Sequence, residues 1–183
     1  MGDVVDLIMQ DHREVERLFE QLRNDPAKRP GLVPVLTTLL FAHSRAEESE
    51  VYPAAADEAG ASDDVEHSQE EHVEADELLA QLADADPTSA AFEQILTKVI
   101  DAVTHHVEEE ESSVLPAIKE NLSEERRAEL GEAFLATRAE HLGDQPEDIT
   151  KAQLEQQAAN LDLPGASGMS KDELKQALKD EAS

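Results

Sequence analysis

Two copies of one spacing in this chain suit a metal ion. HSRAEESEVYP begins at His43 and HVEEEESSVLP begins at His106; both read HxxxEExxV, then Tyr or Leu, then Pro. Residues four apart on an α-helix differ by about 40° around the axis and one turn along it, so each His/Glu pair projects from one face as a chelate. Two further histidines sit in matching surroundings, DHREVERLF around His12 and EHVEADELL around His72. The order single His, HxxxE, single His, HxxxE is an internal duplication of a helical hairpin. Its donors are His12, His43, Glu47, His72, His106 and Glu110. Six nitrogen and oxygen ligands exceed the needs of one four-coordinate zinc. They suit two iron ions bridged by carboxylates and a solvent-derived oxo or hydroxo group, with a position left open for dioxygen or a similar small molecule.

The elements that must position these donors are helices. Ile8, His12, Val15, Phe19 and Leu22 share one stripe of a first helix running from Asp3, a plausible cap, to about Arg23. After a turn cluster at Asn24 to Gly31, Leu32, Leu36, Leu39, His43, Glu47 and Val51 trace the buried face of a second. A break at Asp57 to Asp63 leads to a third helix with Val65, His72, Ala75, Leu79 and Leu82 inward. The DADPT turn from Asp84 leads to a fourth, with Phe92, Leu96, Val99, Val103, His106, Glu110 and Val114 in register. Four long helices on short loops predict an all-α, antiparallel four-helix bundle, and a fifth helix from the cap Ser123 to about Leu142 packs alongside.

His105 and Glu109 also form an HxxxE, so the fourth helix has two frames. Val99, Val103 and Val114 line up with His106, whereas Lys98, Ala102 and Ser113 line up with His105. Pro53 and Pro116, each ten residues beyond its histidine, select His106 with Glu110 independently. His67, His105 and His141 are read as surface residues. The competing account of the six inward donors is a polar core network without metal. Buried unpaired carboxylates cost several kcal/mol each, so that network would need many partners.

Composition sharpens the picture. The chain has 183 residues, enough for one domain and an appendage. It has no Cys and no Trp, one Tyr and four Phe, which excludes thiolate sites and disulfides and favours helix over strand. Neither ferritin-type ExxH nor protease-type HExxH occurs, and phosphate-binding loops and nucleophile elbows are missing. A formal charge of −28 opposes polyphosphate partners over most of this acidic protein's surface. No apolar run spans a bilayer and the start is acidic, so no membrane association and a cytoplasmic setting are expected.

Residues 3 to about 142 resemble the hemerythrin and HHE cation-binding family, marked by the His, HxxxE, His, HxxxE order with EExxxYP or EExxxLP following. The resemblance implies a non-haem di-iron centre with His12, His43, His72 and His106 as terminal ligands and Glu47 and Glu110 as bridges. Animal oxygen carriers of this family have a second histidine on the third helix, whereas Asp76 stands four residues after His72 here. The departure points away from oxygen storage and toward oxygen or redox sensing, or stress defence, with O2, peroxide or NO as ligand. An enzyme that decomposes peroxide or reduces NO, and a metal-stapled scaffold docking a partner through its tail, are the alternatives. Asp76 is a candidate extra ligand or support. Tyr52, read first as packing at a helix end, is a candidate phenol beside the metal.

Residues 1–143 thus form the expected bundle, 144–148 (DQPED) a linker, and 149–183 a small helix-extended-helix unit. Thr150 with Gln153 and Ser170 with Glu173 signal two capped helices flanking LDLPGASGM. The unit resembles SAP-like and Rho N-terminal-like motifs. Lys171, Lys175 and Lys179 form a candidate nucleic-acid stripe, but four lysines face six acids there, which favours a protein-docking or vestigial module.

Overall fold

The computed structural model describes residues 2–182, and among these there is no strand. Helix α1 (Val4–Asn24) starts at Asp3, whose side chain accepts from the Val5 amide at 3.0 Å. Helix α2 (Arg29–Ala46), a π-helical turn (Glu47–Val51) and α3 (Tyr52–Ala59) follow one another without a break, and α4 (Ser62–Asp84) returns. Helices α5 (Ala90–Ser112) and α6 (Val114–Asn121) form the fourth rod, and α7 (Glu124–His141) packs against α1 and α2.

Some boundaries differ from expectation. The first turn is shorter than Asn24 to Gly31 because Pro30 is tolerated in the opening turn of α2, where its missing amide has no intrahelical partner. The break after the second helix shrinks to Gly60 and Ala61, since Gly60 alone takes the left-handed conformation (φ 72°) that ends α3. The second and fourth rods are not regular throughout. Pro53 lacks an amide for the Ser49 carbonyl and its ring crowds that oxygen, so the chain widens into the π turn just before it. In the duplicate half, ahead of Pro116, Ser113 leaves helical geometry instead (φ −126°, ψ −70°).

Two apolar layers close the ends of the bundle. One gathers Val15, Leu18, Phe19, Leu36, Leu79, Phe92, Leu96 and Val99. The other gathers Val4, Ile8, Val51, Tyr52, Val65, Val114, Ile118 and Phe134. Along every rod the histidine of the duplicated motif falls between the two layers. The polar belt they enclose is therefore bounded by apolar side chains at both ends.

The tail is docked. Helices α8 (Lys151–Asn160) and α9 (Lys171–Glu181) carry the expected capping boxes at Thr150 and Ser170. Ile149, Leu154, Ala158, Leu161, Leu174 and Leu178 form a third apolar cluster together with Phe41 of α2 and Val73 of α4.

Candidate metal centre

All six sequence-identified donors are buried, and they converge between the apolar layers. Donor atoms of His12, His43, Glu47 and Glu110 lie within 4.8 Å of one another, and so do those of Glu47, His72 and His106. Glu47 belongs to both groups. Its Oε1 is 3.2 Å from His43 Nε2 and its Oε2 is 3.5 Å from His72 Nε2, so the carboxylate reaches between them. Glu110 Oε2 is 3.2 Å from His12 Nε2, and His72 and His106 bring their Nε2 atoms to 3.1 Å.

These distances do not amount to satisfied hydrogen bonding. Nε2 of His12, Nε2 of His43 and all four carboxylate oxygens of Glu47 and Glu110 are buried without a hydrogen-bond partner. A folded protein rarely leaves one such group unpaired, and six in one cavity is the signature of a site whose partners are ions. The donor set of imidazole nitrogens and carboxylate oxygens fits metal cations.

The opposite face of each imidazole is held by a carboxylate. His12 Nδ1 is 2.9 Å from Glu111 Oε1, His43 Nδ1 is 3.2 Å from Asp11 Oδ2, His72 Nδ1 is 3.2 Å from Glu48 Oε1, and His106 Nδ1 is 2.8 Å from Glu71 Oε2. Such a partner fixes the tautomer, leaving Nε2 free to bind metal, and raises the basicity of the ring. The ring follows the duplication. Asp11 and Glu71, each preceding its helix's histidine, hold the second histidine of their own hairpin; Glu48 and Glu111, each following an HxxxE glutamate, hold the first histidine of the other hairpin.

Electrostatics of the metal-free cavity reflect crowded charge. Burial alone would lower His43, but the charge of the Glu47 carboxylate and the close approach of Asp11 and Glu47 outweigh it and push His43 up to about 10. Burial and the neighbouring Glu110 charge raise Glu47. Glu110 goes the other way: burial opposes ionisation, yet the contact with His12 and the positive charges of His106 and His12 bring it down to about 2. Burial and the His106 charge drive His72 well below the usual imidazole range.

A family model for the Hemerythrin HHE cation binding domain matches residues 3–118. The chain belongs to this family. A DNA nickase of Nostoc sp. is 32% identical to the hemerythrin-like chain over 139 residues, covering 75% of this chain and 39% of that protein. An uncharacterized hemerythrin-like protein of Schizosaccharomyces pombe is 25% identical over 142 residues, 75% of this chain and 70% of that one. The hemerythrin-like chain therefore spans about two fifths of the Nostoc protein's length. No solved structure matches it.

Several residues around the hemerythrin-like centre sit elsewhere than the sequence led us to expect. Tyr52 is fully buried: its ring packs within the second apolar layer, and its hydroxyl lies 3.1 Å from His72 Nε2 at the edge of the cavity. Asp76 does not join the donors. Its Oδ2 is 2.7 Å from Arg45 Nη2, which also reaches Glu48 Oε1 at 3.1 Å, because the buried guanidinium needs carboxylates on this side of α4. Burial first, then the Glu48 charge, raise Asp76 to about 6, although Arg45 pulls the other way.

The four outer carboxylates were missed. Their signal was present in the repeat itself, as the acid before His12 and His72 and the doubled glutamate after His43 and His106. Helix α7 adds Arg138, whose Nε is 2.6 Å from Asp11 Oδ2, and Phe134, whose ring meets His43 edge to face at 5.7 Å. The tail adds Gln157 and Asn160, which bond Glu48 Oε1 at 3.1 Å and the Glu48 carbonyl at 3.0 Å. Lys179 pairs with Glu77 of α4 at 2.9 Å, so the lysine stripe is partly spent on docking the tail. Among the described residues, no helix is long and apolar enough to cross a membrane.

Proposed function

We propose that the chain holds two iron ions, with His12, His43, His72 and His106 as terminal ligands and Glu47 and Glu110 as bridges, and uses them to sense or detoxify O2, peroxide or NO. The observation that carries this reading is the set of buried, partnerless donor atoms on His12, His43, Glu47 and Glu110. A carboxylate shared between two donor groups suits a pair of ions better than one. When bound, the iron pair supplies an open coordination position and one-electron steps at which a small oxidant is bound or reduced.

The chain's own residues set the terms of that chemistry. Apolar layers above and below exclude bulk water, the outer carboxylates fix each Nε2 toward the cavity, and the Tyr52 hydroxyl offers a proton or hydrogen bond beside His72. That hydroxyl favours a second reading, an enzyme that decomposes peroxide or reduces NO. Repeated turnover by the purified iron form, lost in His72→Ala, separates enzyme from sensor. Docking of the tail onto Glu48 favours a structural version, in which the metal staples the scaffold and residues 149–183 form a protein-docking module. The relative's printed activity on DNA is not carried over, since the acid excess and the Lys179–Glu77 pair leave the tail a poor polyphosphate surface.

Elemental analysis and the absorption spectrum of the iron-reconstituted protein test the proposal. Two irons per chain with charge-transfer bands of an oxidised, bridged pair are expected. Retention of a single ion, or of none, overturns it.

A further inference from the structure

Outside the buried cavity, a second group of donors meets on the solvent face between α4 and α5. It comprises His67, Glu71, His105 and Glu109, with donor atoms within 4.8 Å of one another. Each helix contributes an i,i+4 His/Glu pair, and the two pairs face each other. His67 Nε2 is 2.9 Å from Glu109 Oε2 and 3.9 Å from Glu71 Oε1. His105 Nε2 is 3.2 Å from Glu109 Oε1 and 3.7 Å from Glu71 Oε1. Both histidines thus present the same nitrogen to the same two carboxylates.

We infer that this face is a second cation site, taking a divalent ion of the zinc type. A tetrahedral ion with bonds of about 2.0–2.1 Å spaces its donors about 3.3–3.4 Å apart, and the four cross-distances bracket that value. Two imidazoles with two carboxylates suit zinc and its transition-metal neighbours, whereas magnesium and calcium prefer oxygen alone.

A pair of ordinary surface ion pairs is the plainer account, and one atom argues against it. Glu71 Oε1 is buried and has no hydrogen-bond partner, although it is aimed at both exposed imidazoles. Its other oxygen holds His106 Nδ1, so Glu71 is fixed from the inside while Oε1 is left facing outward. His67 and His105 are 54% and 61% exposed, which leaves the ion a direct path from solution. The large negative charge of the chain concentrates cations at such a face.

The test compares the wild-type chain with a His67→Ala/His105→Ala variant, both reconstituted with iron and then equilibrated with Zn2+ in excess Mg2+ and Ca2+. Both substitutions fall on exposed helical positions where alanine is the best helix former, and circular dichroism verifies the fold. After desalting, elemental analysis should find about one more zinc ion per chain in the wild type, with equal iron in the two proteins. Equal zinc retention overturns the site, as does loss of the extra zinc to Mg2+ or Ca2+, which marks a diffuse ion cloud. Because iron is counted separately, failure of the buried iron centre is distinguishable from failure of this site.

Discussion

Glu48 Oε1 lies 3.2 Å from His72 Nδ1, with both side chains buried and the same oxygen receiving Gln69 at 2.9 Å and Gln157 at 3.1 Å. One carboxylate thus ties together α4, the π turn and the tail behind a single imidazole. Glu48→Gln keeps the shape but weakens the acceptor. The expected outcome is a metal affinity about 10–100-fold lower, read by competition with a chelator. Glu111→Gln, at the more exposed partner of His12, should cost less.

Arg45 is the buried cation on which two carboxylates depend, Asp76 at 2.7 Å and Glu48 at 3.1 Å, and its guanidinium stacks 4.7 Å from the centre of the Phe41 ring. Arg45→Ala leaves both acids uncompensated. Denaturant unfolding should report a loss of about 3–5 kcal/mol. Arg45→Lys should recover only part, because an ammonium cannot reach both acids and stack at once.

The Tyr52 hydroxyl touches the donor set without carrying the packing. Tyr52→Phe preserves the ring against its apolar neighbours, so stability should fall by only about 1 kcal/mol. The optical spectrum of the iron-loaded protein should nevertheless shift. An unchanged spectrum together with unchanged ligand reactivity would return Tyr52 to a packing role.

Stability of the metal-free bundle should depend on pH from both sides. His43, raised from 6.5 to about 10, contributes stability that is complete below 6.5 and lost as the pH climbs through 10. Glu110, lowered from 4.5 to about 2, contributes stability that is complete above 4.5 and lost as the pH falls through 2. These two groups therefore favour pH 4.5 to 6.5, and His72, held well below 6.5, takes stability away as the pH falls through that range, so the metal-free protein should melt highest toward its upper end. At pH 9 it should melt lower by roughly 6–12 °C, the equivalent of about 3 kcal/mol in a chain this size. With metal bound the donors are already deprotonated, so the alkaline loss should disappear, and uptake near neutral pH should release protons measurable by calorimetry in two buffers.

The six inward donors were legible in the sequence because a helix converts spacing into direction. Once Val99, Val103 and Val114 set the apolar stripe of the fourth helix, His106 and Glu110 had to face the core and His105 with Glu109 had to face water. Local capping at Asp3, Ser123, Thr150 and Ser170 was equally readable, since each cap is decided within a few residues. Pairing between helices was not. That Asp11 serves His43 rather than its neighbour His12, that Asp76 turns to Arg45, that Tyr52 reaches His72 and that the tail closes over Glu48 all depend on how rods far apart in sequence are rotated and set against one another. Spacing along one helix says which face a side chain leaves from, but which group waits opposite is decided only when the second helix packs.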